Sequence, residues 1–252
     1  MRAQRSLIAT ALTGLLLTAT AAAGAYAADI TLGAHGGISI PNIRGNSTDV
    51  LSQGFSSRQG PFFGIFMETR ISSKFSLIVD VNYTSQGGKR DGMQPITFDM
   101  GLPPLPEGMY YFADFHNETI LNYLEFPVQA RLTFGTKWRF FLNAGPYVGI
   151  LLNAKAVTSG SSDIYFNGDP ITPGPVPFDA ETDVKDSLKS VNIGLTGGGG
   201  VMHRLGPGDI ILEAHFQLGL STIQKDVTTS GDNQTGCVVV SLGYSLPLSR
   251  SK

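Results

Sequence analysis

The amino-acid sequence predicts an all-β chain folded as an eight-stranded antiparallel transmembrane β-barrel. Three observations carry this. Apolar residues recur at every second position over long stretches, the connections alternate between long and short, and the strands run to about ten residues, enough for a tilted strand to cross a bilayer. Residues 123–153 show the pattern best. Leu124, Phe126, Val128, Ala130, Leu132 and Phe134 alternate with Glu125, Pro127, Gln129, Arg131 and Thr133. After Gly135-Thr136-Lys137, the residues Trp138, Phe140, Leu142, Ala144, Pro146, Val148, Ile150 and Leu152 oppose Arg139, Phe141, Asn143, Gly145, Tyr147 and Gly149. A repeat of two over such lengths is a strand signal and not a helix signal.

The beginning of the chain stands apart from this pattern. Arg2 and Arg5 form a basic start, residues 7–25 an apolar run, and Ala25-Tyr26-Ala27 a small-residue cleavage site, so residues 1–27 are expected to be a cleaved export signal. Residues 28–252 are then one domain. Without Arg2 and Arg5 the chain carries 16 basic against 20 acidic side chains. That mildly acidic balance argues against a nucleic-acid partner, which calls for a basic face. A single cysteine, Cys237, precludes an internal disulfide and is expected to be a buried or lipid-facing thiol. No later segment is apolar over 18 consecutive residues, which excludes a transmembrane helix.

In order, the strands are expected over 30–40, 62–71, 75–86, 123–134, 138–153, 191–202, 209–220 and 237–246. Short turns fall at 72–74, 135–137 and 204–208; long polar segments fall at 41–60, 87–119, 154–190 and 221–236. An even strand count with this alternation puts the short turns at one membrane face and the long loops at the other.

Alternation alone leaves two barrels open: a soluble one with an apolar interior, and a membrane one with an apolar exterior. Three features favour the second. The polar face carries Glu68, Arg70, Asp80, Glu125, Arg131, Arg139 and Glu213, four acids against three arginines, which suits a closed interior where charges pair. The same face is rich in glycine, including Gly33, Gly145, Gly194, Gly198 and Gly200, which eases crowding in a narrow lumen. Aromatic residues mark the strand ends on the apolar face: Phe75, Phe134 and Trp138 beside the short turns, Phe63 and Tyr83 toward the long loops, as in an interfacial girdle.

The segments Tyr123-Leu124-Glu125-Phe126-Pro127 and Ala144-Gly145-Pro146-Tyr147-Val148-Gly149, with the later Asn192-Ile193-Gly194 run, resemble the outer-membrane β-barrel domain family, the porin-family proteins of Gram-negative bacteria. The resemblance covers essentially all of 28–252 and implies architecture more than activity. It implies residence in the outer membrane, contact with outer-membrane lipid and lipopolysaccharide, and insertion by the barrel-assembly machinery. Many such barrels end on an aromatic residue; here the chain runs on past Tyr244 and Leu246 to Arg250-Ser251-Lys252.

Candidate chemistry is sparse. The seven lumen charges are expected to form one ion-pair network that fills the interior, since eight strands enclose little more than side chains. Phe66, Ile78, Phe141, Tyr147 and Leu151 add bulk to that face. His35 and His215 face inward without metal-ligand spacing, so no metal and no cofactor is expected. His116 and His215 are the available bases for a lipid-modifying enzyme, but neither adjoins a nucleophile motif. Residues 197–200 are four glycines with no Lys-Ser or Lys-Thr after them, so they are a strand and not a phosphate loop. Among the loops, residues 110–115 are an aromatic cluster expected to fold back on the barrel rim. Asp163, Asp169, Asp179, Glu181, Asp183 and Asp186 make the third loop acidic, suited to divalent ions that bridge lipopolysaccharide. The expected role is structural or adhesive, through an unidentified ligand of the loops, in a monomeric and non-enzymatic protein; a soluble periplasmic barrel holding a hydrophobic ligand is the alternative.

Overall fold

A computed structural model of the chain describes residues 29–45, 49–106 and 108–248. The expected export signal at 1–27 and the terminal Arg250-Ser251-Lys252 lie outside them. Among the described residues, eight long strands form an antiparallel ring: β1 (Ile30–Gly45), β2 (Gly60–Arg70), β3 (Phe75–Arg90), β4 (His116–Phe134), β5 (Trp138–Ser159), β6 (Val191–Leu205), β7 (Gly208–Gly219) and β8 (Asn233–Pro247). Each pairs with its neighbour in sequence, and β1 closes on β8. No described helix is long and apolar enough to cross a membrane.

The apolar face points outward. Trp138, Phe140 and Leu142 are 55%, 59% and 60% exposed, while Phe141 between them is 2% exposed. A soluble barrel would reverse that order, because apolar surface left in water forfeits the burial that drives folding. Phe63 stacks on Tyr83 with ring centroids 4.8 Å apart, and Trp138 stacks on His203 at 4.3 Å. Phe75 and Phe134 are likewise exposed on the outer wall. Cys237 lies on the inner face, packed with Phe62 and Val239.

At the long-loop end the strands run well past the expected limits. β1 was expected to stop at Ile40 but continues through Pro41 to Gly45, and β5 continues to Ser159. Apolar alternation marks where lipid begins and ends; backbone pairing needs only a neighbouring strand and continues into water. Pro41 fits because its carbonyl accepts the Arg58 N–H at 3.1 Å, on the edge where the β1–β2 ladder has already ended at Ser39 and Gly60. The donor it lacks would face that same edge. Pro127 and Pro146 interrupt pairing instead: the β3–β4 register skips Phe126 and Pro127, and the β4–β5 register skips Gly145 and Pro146.

A bulge in β5 sets where the inward pattern changes. Tyr123 of β4 faces Leu151 and Asn122 faces Asn153, so Leu152 is the extra residue. Below it the odd positions of β5 point inward; above it Ala154 and Thr158 are the buried ones. The three tight turns join β2 to β3, β4 to β5 and β6 to β7. The last has Gly206 at φ 62 ahead of Pro207, the conformation a two-residue II′ hairpin asks of its first central residue. Tyr244 anchors this end, its hydroxyl accepting the Gly208 N–H at 3.0 Å and donating to the Leu205 carbonyl at 2.9 Å.

Candidate functional site in the lumen and the loop cap

The lumen is layered. At the short-turn end Arg139 bonds Asp209 at 2.5 Å, with Arg204 3.7 Å away. In the middle Arg131 bridges Glu68 at 3.0 Å and Glu213 at 3.4 Å, and its guanidinium lies 4.1 Å above the Phe141 ring. Asn143 donates to Glu213 at 3.1 Å, and His215 lies 3.2 Å from the same carboxylate. Beside this layer Gln129 donates to Asp80 at 3.1 Å, and His35 bonds Asn82 at 2.8 Å. Higher still, fully buried Glu125 accepts from Thr84 and from Gln217, each at 2.8 Å, and from Gln86. At the long-loop mouth Arg58 bonds Glu118 at 2.6 Å.

The seven charges therefore do not form one network. Arg70 is the clearest departure: its side chain is half exposed at the rim, 3.9 Å from Asp29. Asp80 and Glu125 have amide and hydroxyl partners in place of arginines, and Arg139 pairs with Asp209, a residue the sequence reading left out. Asp209 shares the inward parity of Glu213 and His215, so alternation could have found it. The amide partners Gln86, Gln129 and Gln217 had no such signal, since a lone glutamine on a strand is mute about its partner.

Aromatic rings fill the space the glycines leave. Gly33 faces Phe66, Gly194 faces Tyr147 and Gly200 faces Phe141 in direct cross-strand register. A Cβ on any of them would fall within 2.6 Å of the opposite ring. These three glycines thus make room for rings, and at Gly194 and Gly200 a carbonyl of the adjoining strand stands closer still; a void of about 10 Å³ beside His35, Asp80 and Arg131 has roughly the space of one water molecule.

Above the barrel the second and third long loops fold into a cap. Short strands Met93–Pro95, Phe112–Asp114, Tyr165–Phe166 and Asp169–Pro170 form a four-stranded sheet, while Ala180–Asp183 pairs back onto β5. Ile96, Ala113, Phe115, Ile164 and Phe178 form its own hydrophobic core, with Phe115 stacked on Phe178 at 4.7 Å. The aromatic cluster at 110–115 was expected on the barrel rim; it belongs to this second core, because the two loops offer it a closer apolar partner than the rim does. An open cleft of about 570 Å³ lies at the base of the cap, lined by Asp91, Asp114, His116, Ser159, Ser161, Ser162 and Tyr165 among others. There His116 Nδ1 and Asp91 Oδ1 are 2.5 Å apart, and this bond holds the Asp91 carboxyl below its ordinary range. Among the described residues no group of histidines, cysteines and acids is arranged to hold a metal ion.

No curated protein matches the chain by sequence. Among solved structures, Neisserial surface protein A is 14% identical, with 87% of this chain and 97% of that one covered at a TM-score of 0.41. Ail, the attachment invasion locus protein of Yersinia pestis, is 11% identical, with 86% and 99% covered at 0.40. Ail in complex with the heparin analogue sucrose octasulfate is 10% identical over the same shares at 0.36. A family model described as outer membrane protein beta-barrel domain matches residues 21–225. With the closed ring, its apolar exterior and its polar interior, that match places the chain in the outer membrane: it belongs to the outer membrane β-barrel domain family.

Proposed function

We propose that this outer-membrane barrel acts through its long extracellular loops as a surface-binding or adhesive protein, with a lumen closed by its own side chains. The observation that carries this reading is the contrast between the two ends of the interior. A void in the middle of the barrel holds about 10 Å³, whereas the loops build a cap with a separate hydrophobic core and a cleft of about 570 Å³. Ordering so many loop residues is entropically expensive, and a barrel needing only to span the membrane has no use for it. The four long segments carry 14 acidic against 8 basic side chains. That excess suits a cationic partner, or lipopolysaccharide held through divalent ions. Export with cleavage after Ala27, one domain over 28–252, insertion by the barrel-assembly machinery and a monomeric state complete the reading.

The test replaces residues 92–115 and 160–179 with short turns. The barrel is expected to stay in the outer membrane and keep heat-modifiable gel migration, while cells lose adherence to immobilised matrix proteins and to one another. Unchanged adherence would overturn the proposal. The Asp91–His116 pair, facing a cleft with three serines, favours one second reading, a lipid-modifying enzyme. Fatty-acid release from lipopolysaccharide that disappears in His116→Ala would establish it in place of the first.

A further inference from the structure

Five residues of the second long loop, Leu102-Pro103-Pro104-Leu105-Pro106, take no part in the strands of the cap. Their covalent chemistry sets their shape. A proline ring holds φ near −65°, and a residue ahead of a proline is pushed out of the helical region. Leu102, Pro103 and Leu105 each precede a proline, and the other two are prolines themselves. These restraints favour an extended, polyproline II conformation for the run, which has no internal hydrogen bonds and rises roughly 3.1 Å per residue, about 15 Å for five.

The fold isolates this run as a strut. Asp99 accepts the Gly101 N–H at 2.8 Å, and Gly101 at φ 69 turns the chain into it. Gly108 at φ 82 turns the chain out, with the Met109 N–H bonded to the Pro106 carbonyl at 3.1 Å. Neither glycine has a neighbour within 4 Å of where a Cβ would sit, so both turns stand clear of the cap. One side of the strut is fastened down: Leu102 packs on the cap core, and the Tyr111 hydroxyl donates to the Pro103 carbonyl at 3.0 Å. The other side is open, with Pro103, Pro104 and Pro106 exposed.

We propose that this strut is a recognition element for a partner domain with an aromatic-lined groove. Such grooves take the proline ridges of a polyproline II helix between their aromatic side chains. Pro103 and Pro106 are one turn apart in a helix of three residues per turn, so both rings lie on one ridge. The conformation is set before binding, which spares the ordering cost that a flexible loop incurs. The inference rests on the loop-mediated reading above and adds the chemistry of one partner.

The full chain in lipid nanodiscs is presented to three immobilised probes with grooves of this kind: an SH3 domain, a WW domain and an EVH1 domain. At least one is expected to bind, and the Pro103→Ala/Pro106→Ala variant to bind it about tenfold more weakly, the loss typical of one removed anchor. Heat-modifiable migration of the variant shows that its barrel is intact. Absence of binding to all three probes, or equal binding by the variant, overturns the proposal. Adherence of whole cells separates the two levels. Adherence lost on cap replacement but kept in the double variant overturns the strut alone; adherence kept in both overturns the loop-mediated reading beneath it as well.

Discussion

Arg131 carries the largest single consequence. Its side chain is 3% exposed and bridges two carboxylates, Glu68 and Glu213, inside the barrel. Removing one partner from a buried ion-pair cluster is worse than never having had the cluster, because the charges left behind stay desolvated. Arg131→Met keeps much of the stem that lies over Phe141 and deletes the charge; it is expected to lower stability by about 3–5 kcal/mol in urea unfolding of the lipid-embedded protein. A loss below about 1 kcal/mol, the range of exposed pairs, would mean that this layer is solvated. Asp91 makes a different kind of contribution, in water. Its bond to His116 depresses the carboxyl's pKa, so the stabilisation is present above the ordinary aspartate value of about 3.9 and is lost as pH falls through the depressed one. Protection of the Phe115 amide, which donates to the Gly92 carbonyl at 3.4 Å, should therefore, corrected for intrinsic exchange, hold at neutral pH and fall in acid. In Asp91→Asn it should be lower at neutral pH and flat across that range.

Elements in this molecule are specified pairwise across strands. The Gly33–Phe66 pair shows how: the atoms nearest to a Cβ at Gly33 would all belong to the Phe66 ring, with Cζ 2.2 Å away, and that ring packs with Ile78 and Phe141 inside the barrel. Gly33→Ala is expected to destabilise by about 1–3 kcal/mol, as overpacking does, and to cost much less in a Phe66→Leu background, where the far side of the ring is gone. Additive effects in that double-mutant cycle would refute the coupling. This pairing also marks how far the sequence could be read. Alternation identified all eight strands and their inward and outward faces, because burial in lipid repeats with the pleat. It missed the upper reaches of β1, β4 and β5, where residues such as Lys155 and Glu118 meet water on the outside and no apolar repeat marks the pairing. It also read the seven charges as one network. Which ring covers which glycine, and which amide meets Glu125, depends on register between strands, and register is absent from single-strand periodicity. The cap was the least legible part: its core joins residues from two loops, Phe115 and Phe178, with no repeat linking them.

At the scale of the whole molecule, the interior reads as successive cross-sections from one membrane face to the other. Arg139 and Asp209 lie at the periplasmic end, the Arg131 cluster with the rings of Phe66 and Phe141 fills the middle, and Glu125 with its amides lies above. Each cross-section is held by contacts between different strands, so no single side chain can swing aside without breaking partners on the opposite wall. A void of about 10 Å³ in the middle layer admits roughly one water, and an ion would have to shed its hydration to pass the rings and ion pairs around it. The purified protein is therefore expected to be silent in planar bilayers across physiological voltages. Removing the middle layer should change that: Arg131→Gly combined with Phe141→Gly takes out a guanidinium and the ring it rests on, and brief, irregular conductance is expected from a barrel that still shows heat-modifiable migration. Steady single-channel steps from the unaltered protein would overturn the closed-lumen reading. Silence from the double variant would place the barrier instead in the Glu125 layer.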